Sequence, residues 1–141
     1  MLKSYFNVFI CMGLAFFALS LFLPVFFTSD KDIYGFWVLI TGWVGVIFIQ
    51  FAWYANPINL LALLLMRDSP RISLFLSLLA LLLASGAFIF NEIPIGVNNE
   101  KVFIKEFGLG FYIWYVAQVF FLLALFVRFL NSTMNELANN R

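Results

Sequence analysis

The sequence contains no histidine, only one cysteine and few charged side chains. Histidine is the commonest general base and metal ligand near neutral pH, so its absence argues against many hydrolytic and metal-dependent reactions. Cys11 has no partner for an intramolecular disulfide and lies in an apolar run, which predicts a small buried side chain. No phosphate-binding glycine motif, zinc-type spacing or lipidation signal is present. We therefore expect a protein that is not an enzyme and that uses no cofactor and no metal ion.

Charged residues make up 11% of the chain and the net charge is +1, with no Lys/Arg cluster that would predict nucleic acid binding. Hydrophobic residues make up 65%, and the mean hydropathy is +1.03. Ordinary soluble domains are roughly half apolar and about a quarter charged. A soluble fold of 141 residues could not bury twenty phenylalanines beside these Leu-rich runs. The composition predicts an integral membrane protein whose outer surface contacts the lipid bilayer.

Four apolar stretches are long enough to cross a bilayer as helices, because about 20 residues span a hydrocarbon core of about 30 Å. They are residues 5–27, 36–66, 72–90 and 109–130. Polar segments separate them, namely outer loops 28–35 and 91–108 and an inner loop 67–71. The pattern predicts an all-α polytopic membrane protein, a compact four-transmembrane-helix bundle that forms a single domain over residues 1–141.

The distribution of lysine and arginine sets the expected orientation. With the N-terminus inside, five basic residues lie on the inner side: Lys3, Arg67, Arg71, Arg128 and Arg141. Three lie on the outer side: Lys31, Lys101 and Lys105. We expect both termini in the cytoplasm and a bacterial inner membrane as the location.

The second stretch, residues 36–66, carries Asn56 and Pro57 inside an otherwise apolar run. As one straight helix it would extend about 46 Å, which tilt alone does not accommodate. Pro57 also removes a backbone donor and clashes with the carbonyl of Trp53. Either the chain breaks at Asn56-Pro57 near an interface, or a helix over residues 43–66 is kinked there within the membrane. We favour the kink, because the apolar run after Pro57 needs burial.

Amide side chains are the candidate polar groups within the predicted spans: Gln50, Asn56, Asn59 and Gln118. They are candidates for interhelical hydrogen bonds first, and for a polar path or solute site second. The segments "GWVGVIFIQ" and "GFYIWYVAQ" both begin with Gly and an aromatic residue and end with glutamine at Gln50 and Gln118. This faint parallel repeat predicts that the two glutamines lie at similar depth.

Small side chains recur at helical spacing in two spans. In the second span they are Gly45, Ala52, Ala55, Asn59 and Ala62, and in the third they are Ser73, Ser77, Ala80, Ala84 and Ala87. Such stripes let helix backbones approach closely. We expect both stripes to face neighbouring helices.

Aromatic residues crowd the outer entries of the second and fourth spans: Tyr34, Trp37, Trp43, Tyr112, Trp114 and Tyr115. An aromatic belt at the membrane–water interface explains this placement. A ligand-stacking site at the outer mouth is the alternative.

The outer segment "KVFIKEFGLG" alternates apolar and charged residues, as a short strand or an interfacial helical turn does. Its apolar side chains either contact the headgroups or form a surface on which a partner docks. The candidate docking residues are Lys101, Phe103, Lys105, Glu106 and Phe107.

No Asp, Glu, Lys or His lies within a predicted span, although ion-coupled transporters usually carry such groups there. Our leading hypothesis is a non-catalytic protein that binds another membrane protein or an inserted peptide, as an immunity-like protein or an accessory subunit. The alternative is a small oligomeric channel or facilitator for neutral or weakly polar solutes, lined by the four amides. A lipid-binding or membrane-shaping role is a third possibility, and a homo-oligomer fits each of them.

Overall fold

The computed structural model describes residues 2–95 and 100–139. Arg141, counted above among the inner charges, and residues 96–99 of the long outer loop lie outside this part. Five α-helices and four strands occur in the described part: α1 (Leu2–Leu21), β1 (Pro24–Thr28), β2 (Asp32–Tyr34), α2 (Gly35–Thr41), α3 (Ala55–Leu65), α4 (Pro70–Ser85), β3 (Glu92–Ile95), β4 (Glu100–Phe107) and α5 (Leu109–Asn139). Three 3-10 helices join some of them: Gly42–Phe48, Ala52–Tyr54 and Gly86–Ile89.

Three helical segments are long and apolar enough to cross a membrane: Ser4–Leu21, Pro70–Ile89 and Leu109–Asn139. Two of the predicted spans keep their place in the chain, while the last helix continues through the polar tail to Asn139. The expected second helix is absent as a continuous element. Short helical pieces replace it over residues 35–65, so the expected bundle of four long helices is not found.

The second segment breaks at residues 49–51 rather than at the proline. The 3-10 helix Gly42–Phe48 ends at Ile49, which has a left-handed backbone with φ 61°. The chain then turns back, and the backbone N–H of Gln50 donates to the Gly45 carbonyl at 2.9 Å. A Cβ atom on Gly45 would lie only 2.7 Å from the Gln50 carbonyl oxygen, so this approach requires glycine.

Pro57 does not kink a helix, which corrects the sequence prediction. Helix α3 begins at Ala55, so Pro57 lies in its first turn, where backbone N–H groups have no intrahelical partner. No helical hydrogen bond is lost, and the carbonyl of Trp53 belongs to the preceding 3-10 helix. The alternative from the sequence, a break in the chain, is nearer to the structure, although the break lies at residues 49–51 and not at Asn56-Pro57.

A four-stranded antiparallel sheet with order β2-β1-β4-β3 joins the connection after α1 to the connection before α5, so the fold is not all-α. Strand β1 pairs with β4, with Phe26 opposite Phe107. Strand β3 pairs with β4 on the other side, with Glu92 opposite Phe103. The alternating segment around residues 100–107 is therefore a strand, one of the two forms that its sequence predicts. Pro94 lies in the edge strand β3, where a missing N–H is tolerated.

Helix α1 is shorter than the predicted span because Pro24 starts strand β1. A proline there cannot continue a helix, since its ring clashes with the preceding turn. The chain then folds back closely on itself. A Cβ atom on Gly108 would collide with the carbonyl of Pro24, and the Gly108 N–H donates to the Val25 carbonyl at 2.8 Å. This glycine places the start of α5 directly against the end of α1.

Both small-residue stripes are buried, as predicted: Gly45, Ala52, Ala55, Asn59 and Ala62, and Ser73, Ser77, Ala80, Ala84 and Ala87. Helices α3 and α4 pack against each other near the stripe residues that they carry, and the Ser73 hydroxyl donates to the Ala62 carbonyl at 2.7 Å. Cys11, predicted to be buried, is instead exposed on α1. The expectation failed because α1 turns only part of its apolar surface toward α5.

Candidate functional site

Three of the four predicted amides form one cluster between α3 and α5. The Asn59 Nδ2 donates to Gln118 Oε1 at 2.5 Å, and the Gln118 Nε2 donates to Asn56 Oδ1 at 3.4 Å. The Trp114 indole N–H donates to the same Asn56 oxygen at 2.8 Å. We call these four residues the amide cluster. Asn56 and Asn59 lie about one turn apart on α3, and Trp114 and Gln118 lie about one turn apart on α5, so each pair shares one face of its helix.

The inner part of the amide cluster is fully enclosed. Gln118 is 0% exposed and Asn59 is 2% exposed, whereas Asn56 is half-buried. Asn59 Oδ1 and the Ser77 hydroxyl have no hydrogen-bond partner among the described residues. Buried polar atoms without partners cost free energy, so the cluster is a sensitive point of the fold.

Gln50 lies apart from the amide cluster. Its Nε2 donates to the backbone carbonyl of Glu92 at 2.7 Å, which ties the break in the second segment to strand β3. Gln118 lies inside a continuous helix, whereas Gln50 follows a 3-10 helix. The two ends of the faint sequence repeat therefore have different local structures and different partners.

A cavity of about 770 Å³ lies beneath the sheet, between the end of α1, the pieces of the second segment and the start of α5. Its wall is mostly apolar and aromatic, with Trp37, Trp53 and Trp114 among the lining residues. Gln50 and Asn56 add amide groups to this wall, and Lys31 and Asp32 add charged groups from the β1–β2 connection. Asn59 and Gln118 do not line the cavity, so the amide cluster contacts it through Asn56 and Trp114 alone.

Gly42 helps to form the cavity wall by leaving room for an indole ring. A Cβ atom on Gly42 would collide with the Trp53 ring, whose Nε1 donates to the Leu39 carbonyl at 2.9 Å. This bond fixes the second 3-10 helix against α2. The broken second segment therefore surrounds a space that a straight helix would not leave.

The predicted docking residues divide between two environments. On β4, Lys101, Phe103 and Lys105 are exposed on one face, with Phe103 64% exposed, and Glu106 is also exposed. Phe107 instead packs into an aromatic group beneath the sheet, with its ring centroid 4.5 Å from that of Phe111 and 5.8 Å from that of Phe26.

Lys101 is already engaged within the chain. Its ammonium lies 3.1 Å from the Glu92 carboxylate and 6.0 Å from the centroid of the Phe48 ring. Lys105 and Phe103 are therefore the more available members of the exposed face.

The described residues, 2–95 and 100–139, contain no group of three or more His, Cys, Asp or Glu side chains that could hold a metal ion.

The sequence predicted the three clustered amides but not the role of Trp114, which was assigned to an interfacial belt. The spacing of Trp114 and Gln118, one turn apart, was the signal that the two share a helix face.

No family model, no curated protein and no solved structure matches the chain.

Proposed function

We propose that the chain is a non-catalytic integral membrane protein that acts by binding an apolar ligand in the cavity beneath the sheet. The three long apolar segments support insertion into a bilayer. The basic residues between α3 and α4 support cytoplasmic termini, with the sheet on the outer side. We propose a bacterial inner membrane as the location, as expected from the sequence.

The cavity carries this proposal. Ligand sites typically have about 300–1,000 Å³, mostly apolar walls and a few polar groups that orient the ligand. The cavity of about 770 Å³ has this size and this lining, with Asn56 and Gln50 among its polar groups.

The test is native mass spectrometry of the protein released from native-membrane nanodiscs, in the wild type and two matched variants. Val38 lines the cavity, so Val38→Trp places an indole ring in it and reduces the space left for a ligand. Val116 is exposed on α5 away from the cavity, so Val116→Trp controls for the added indole. We expect a bound species of constant mass on the wild type and on Val116→Trp but not on Val38→Trp. A species retained equally by Val38→Trp, or absent throughout, would refute the cavity as the site.

A second candidate is binding of another membrane protein or an inserted peptide at the outer face of β4, as the sequence suggests. The exposed Phe103 beside Lys105 favours it, because exposed aromatic side chains are enriched among interface anchors. The test is affinity purification from the native membrane with Phe103→Ala, and with Tyr112→Ala as the control at an exposed aromatic residue of α5. A stoichiometric partner should be lost only with Phe103→Ala, and an unchanged partner would rule out this face.

A channel or facilitator remains the alternative from the sequence. A path lined by all four amides would require the amide cluster to open, since Asn59 and Gln118 bond to each other and do not line the cavity. Gln50 lies outside that cluster. These contacts favour binding over transport.

A further inference from the structure

The indole of Trp114 fixes the direction of every hydrogen bond in the amide cluster. An indole N–H can only donate, so the Asn56 atom that it contacts at 2.8 Å must be the oxygen. The Gln118 atom 3.4 Å from that oxygen must then be the amino nitrogen, and its other end, Oε1, must accept from Asn59. Inverting any one amide would place two donors or two acceptors against each other.

This fixed direction determines what Asn56 presents to the cavity. Its oxygen already accepts two hydrogen bonds, from Trp114 and Gln118. Within the described residues no hydrogen bond engages its Nδ2, and Asn56 is half-buried in the cavity wall. The group available to a ligand there is therefore an amide N–H donor, which requires an acceptor.

We propose that the cavity holds a single-chain amphiphile whose head group accepts a hydrogen bond from Asn56 Nδ2, such as an acyl ester, and that Trp114 positions Asn56 for this selection. The inference rests on the proposed function, because it assigns a ligand class to the same cavity. The apolar wall takes the hydrocarbon chain, and the aromatic side chains Trp37 and Phe90 add contact area along it.

Gln50 offers the complementary group on the same wall. Its Nε2 donates to the Glu92 carbonyl, so its Oε1 is the end that remains for a ligand. A head group with both an acceptor and a hydroxyl, as in a monoacylglycerol, satisfies both amides. The ester oxygen is the essential feature, because only the orientation of Asn56 is fixed from two sides.

The experiment adds two neutral probes of equal chain length to the protein in dioleoylphosphatidylcholine nanodiscs and counts bound probes by native mass spectrometry. Methyl stearate carries an ester acceptor, and nonadecane carries no polar atom. An interhelical hydrogen bond in a membrane is worth about 0.6 kcal/mol on average and up to about 2, which corresponds to a preference of roughly threefold to thirtyfold for the ester. We expect that preference in the wild type and in Val116→Trp.

Two variants test the role of the amide cluster. Asn56→Leu removes the donor and should bring the preference close to onefold. Trp114→Phe keeps Asn56 but frees the amides to invert, so the donor faces the ligand only part of the time and the preference should fall. If Asn56→Leu does not fold, Trp114→Phe alone tests the inference. A wild type that binds both probes equally would overturn the inference, and so would an unchanged preference for the ester in Trp114→Phe. Either result would leave cavity binding intact. If neither probe binds the wild type, the inference is wrong for this ligand class. The comparison of Val38→Trp with the wild type then tests separately whether the cavity binds any ligand.

Discussion

Replacing Gln118 with leucine should destabilise the protein, because it leaves buried polar atoms of Asn59 without partners. The substitution removes the 2.5 Å bond from Asn59 and the 3.4 Å bond to Asn56. Each membrane hydrogen bond contributes about 0.6 kcal/mol on average. Asn59 is 2% exposed, so leaving its amino group unpaired adds about 1–3 kcal/mol. Together these contributions give an expected loss of about 2–4 kcal/mol in the free energy of unfolding.

The assay is reversible unfolding in mixed detergent micelles of increasing dodecyl sulfate content, followed by tryptophan fluorescence and circular dichroism. The double variant Asn59→Leu/Gln118→Leu is the matched control. It removes both partners, so less buried polar surface stays unpaired and the loss should be smaller than for Gln118→Leu alone. Asn56 keeps its bond from Trp114 in both variants.

Two results would refute this reasoning. One is a Gln118→Leu variant within about 0.5 kcal/mol of the wild type, the spread of substitutions that touch no structural feature. The other is a double variant whose loss equals the sum of the single losses, because residues in contact should couple. Unchanged stability together with loss of solute flux into liposomes would favour the channel.

Three further predictions concern other parts of the fold. Ile49→Gly should stabilise the protein by up to about 1 kcal/mol in the same unfolding assay, because a β-branched residue at φ 61° is strained and glycine is not; a destabilised variant would contradict the left-handed turn. Ser73→Ala should cost about 0.5–1.5 kcal/mol, since it removes the buried bond to the Ala62 carbonyl, and no change would argue against that contact. Arg71→Ala should leave the unfolding midpoint unchanged, because the ion pair with Glu136 is 3.4 Å long and exposed on both sides; a clear loss would show that this pair is more than a surface contact.

The helix contacts could be predicted from the sequence because they depend on local spacing. The small residues of α4 recur every three or four positions, so any helix there brings them to one face. Ser73, Ser77 and Ala80 are accordingly buried. Three of the four candidate amides meet for the same reason, since Asn56 and Asn59 share a face of α3.

The break in the second segment could not be predicted in the same way. Proline is compatible with a kink and with a first helical turn, and its own sequence neighbours do not distinguish the two. The position of the break depends instead on a distant contact, the bond from Gln50 to the Glu92 carbonyl. The close approach of Gly45 to Gln50 is likewise a consequence of that turn.

The sheet and the cavity were missed for a related reason. The alternation of β4 allowed a strand to be predicted there, but its partner β1 lies 72 or more residues away, from Thr28 to Glu100, so the pairing could not be predicted. The cavity is lined by residues from distant parts of the chain, such as Val25 of β1, Ile93 of β3 and Trp114 of α5, so it has no local signature. Trp37 and Trp114 resemble an interfacial belt in sequence, and only the packed chain places both on the cavity wall.

The most direct measurement for the binding account is cross-linking with a methyl ester of stearic acid that carries a diazirine on its chain, mapped by tandem mass spectrometry. We predict adducts on cavity residues such as Val38 and Phe90, and their loss when unlabelled methyl stearate is added in excess. Adducts confined to exposed helix residues such as Leu64 and Leu82, and insensitive to the competitor, would contradict the account.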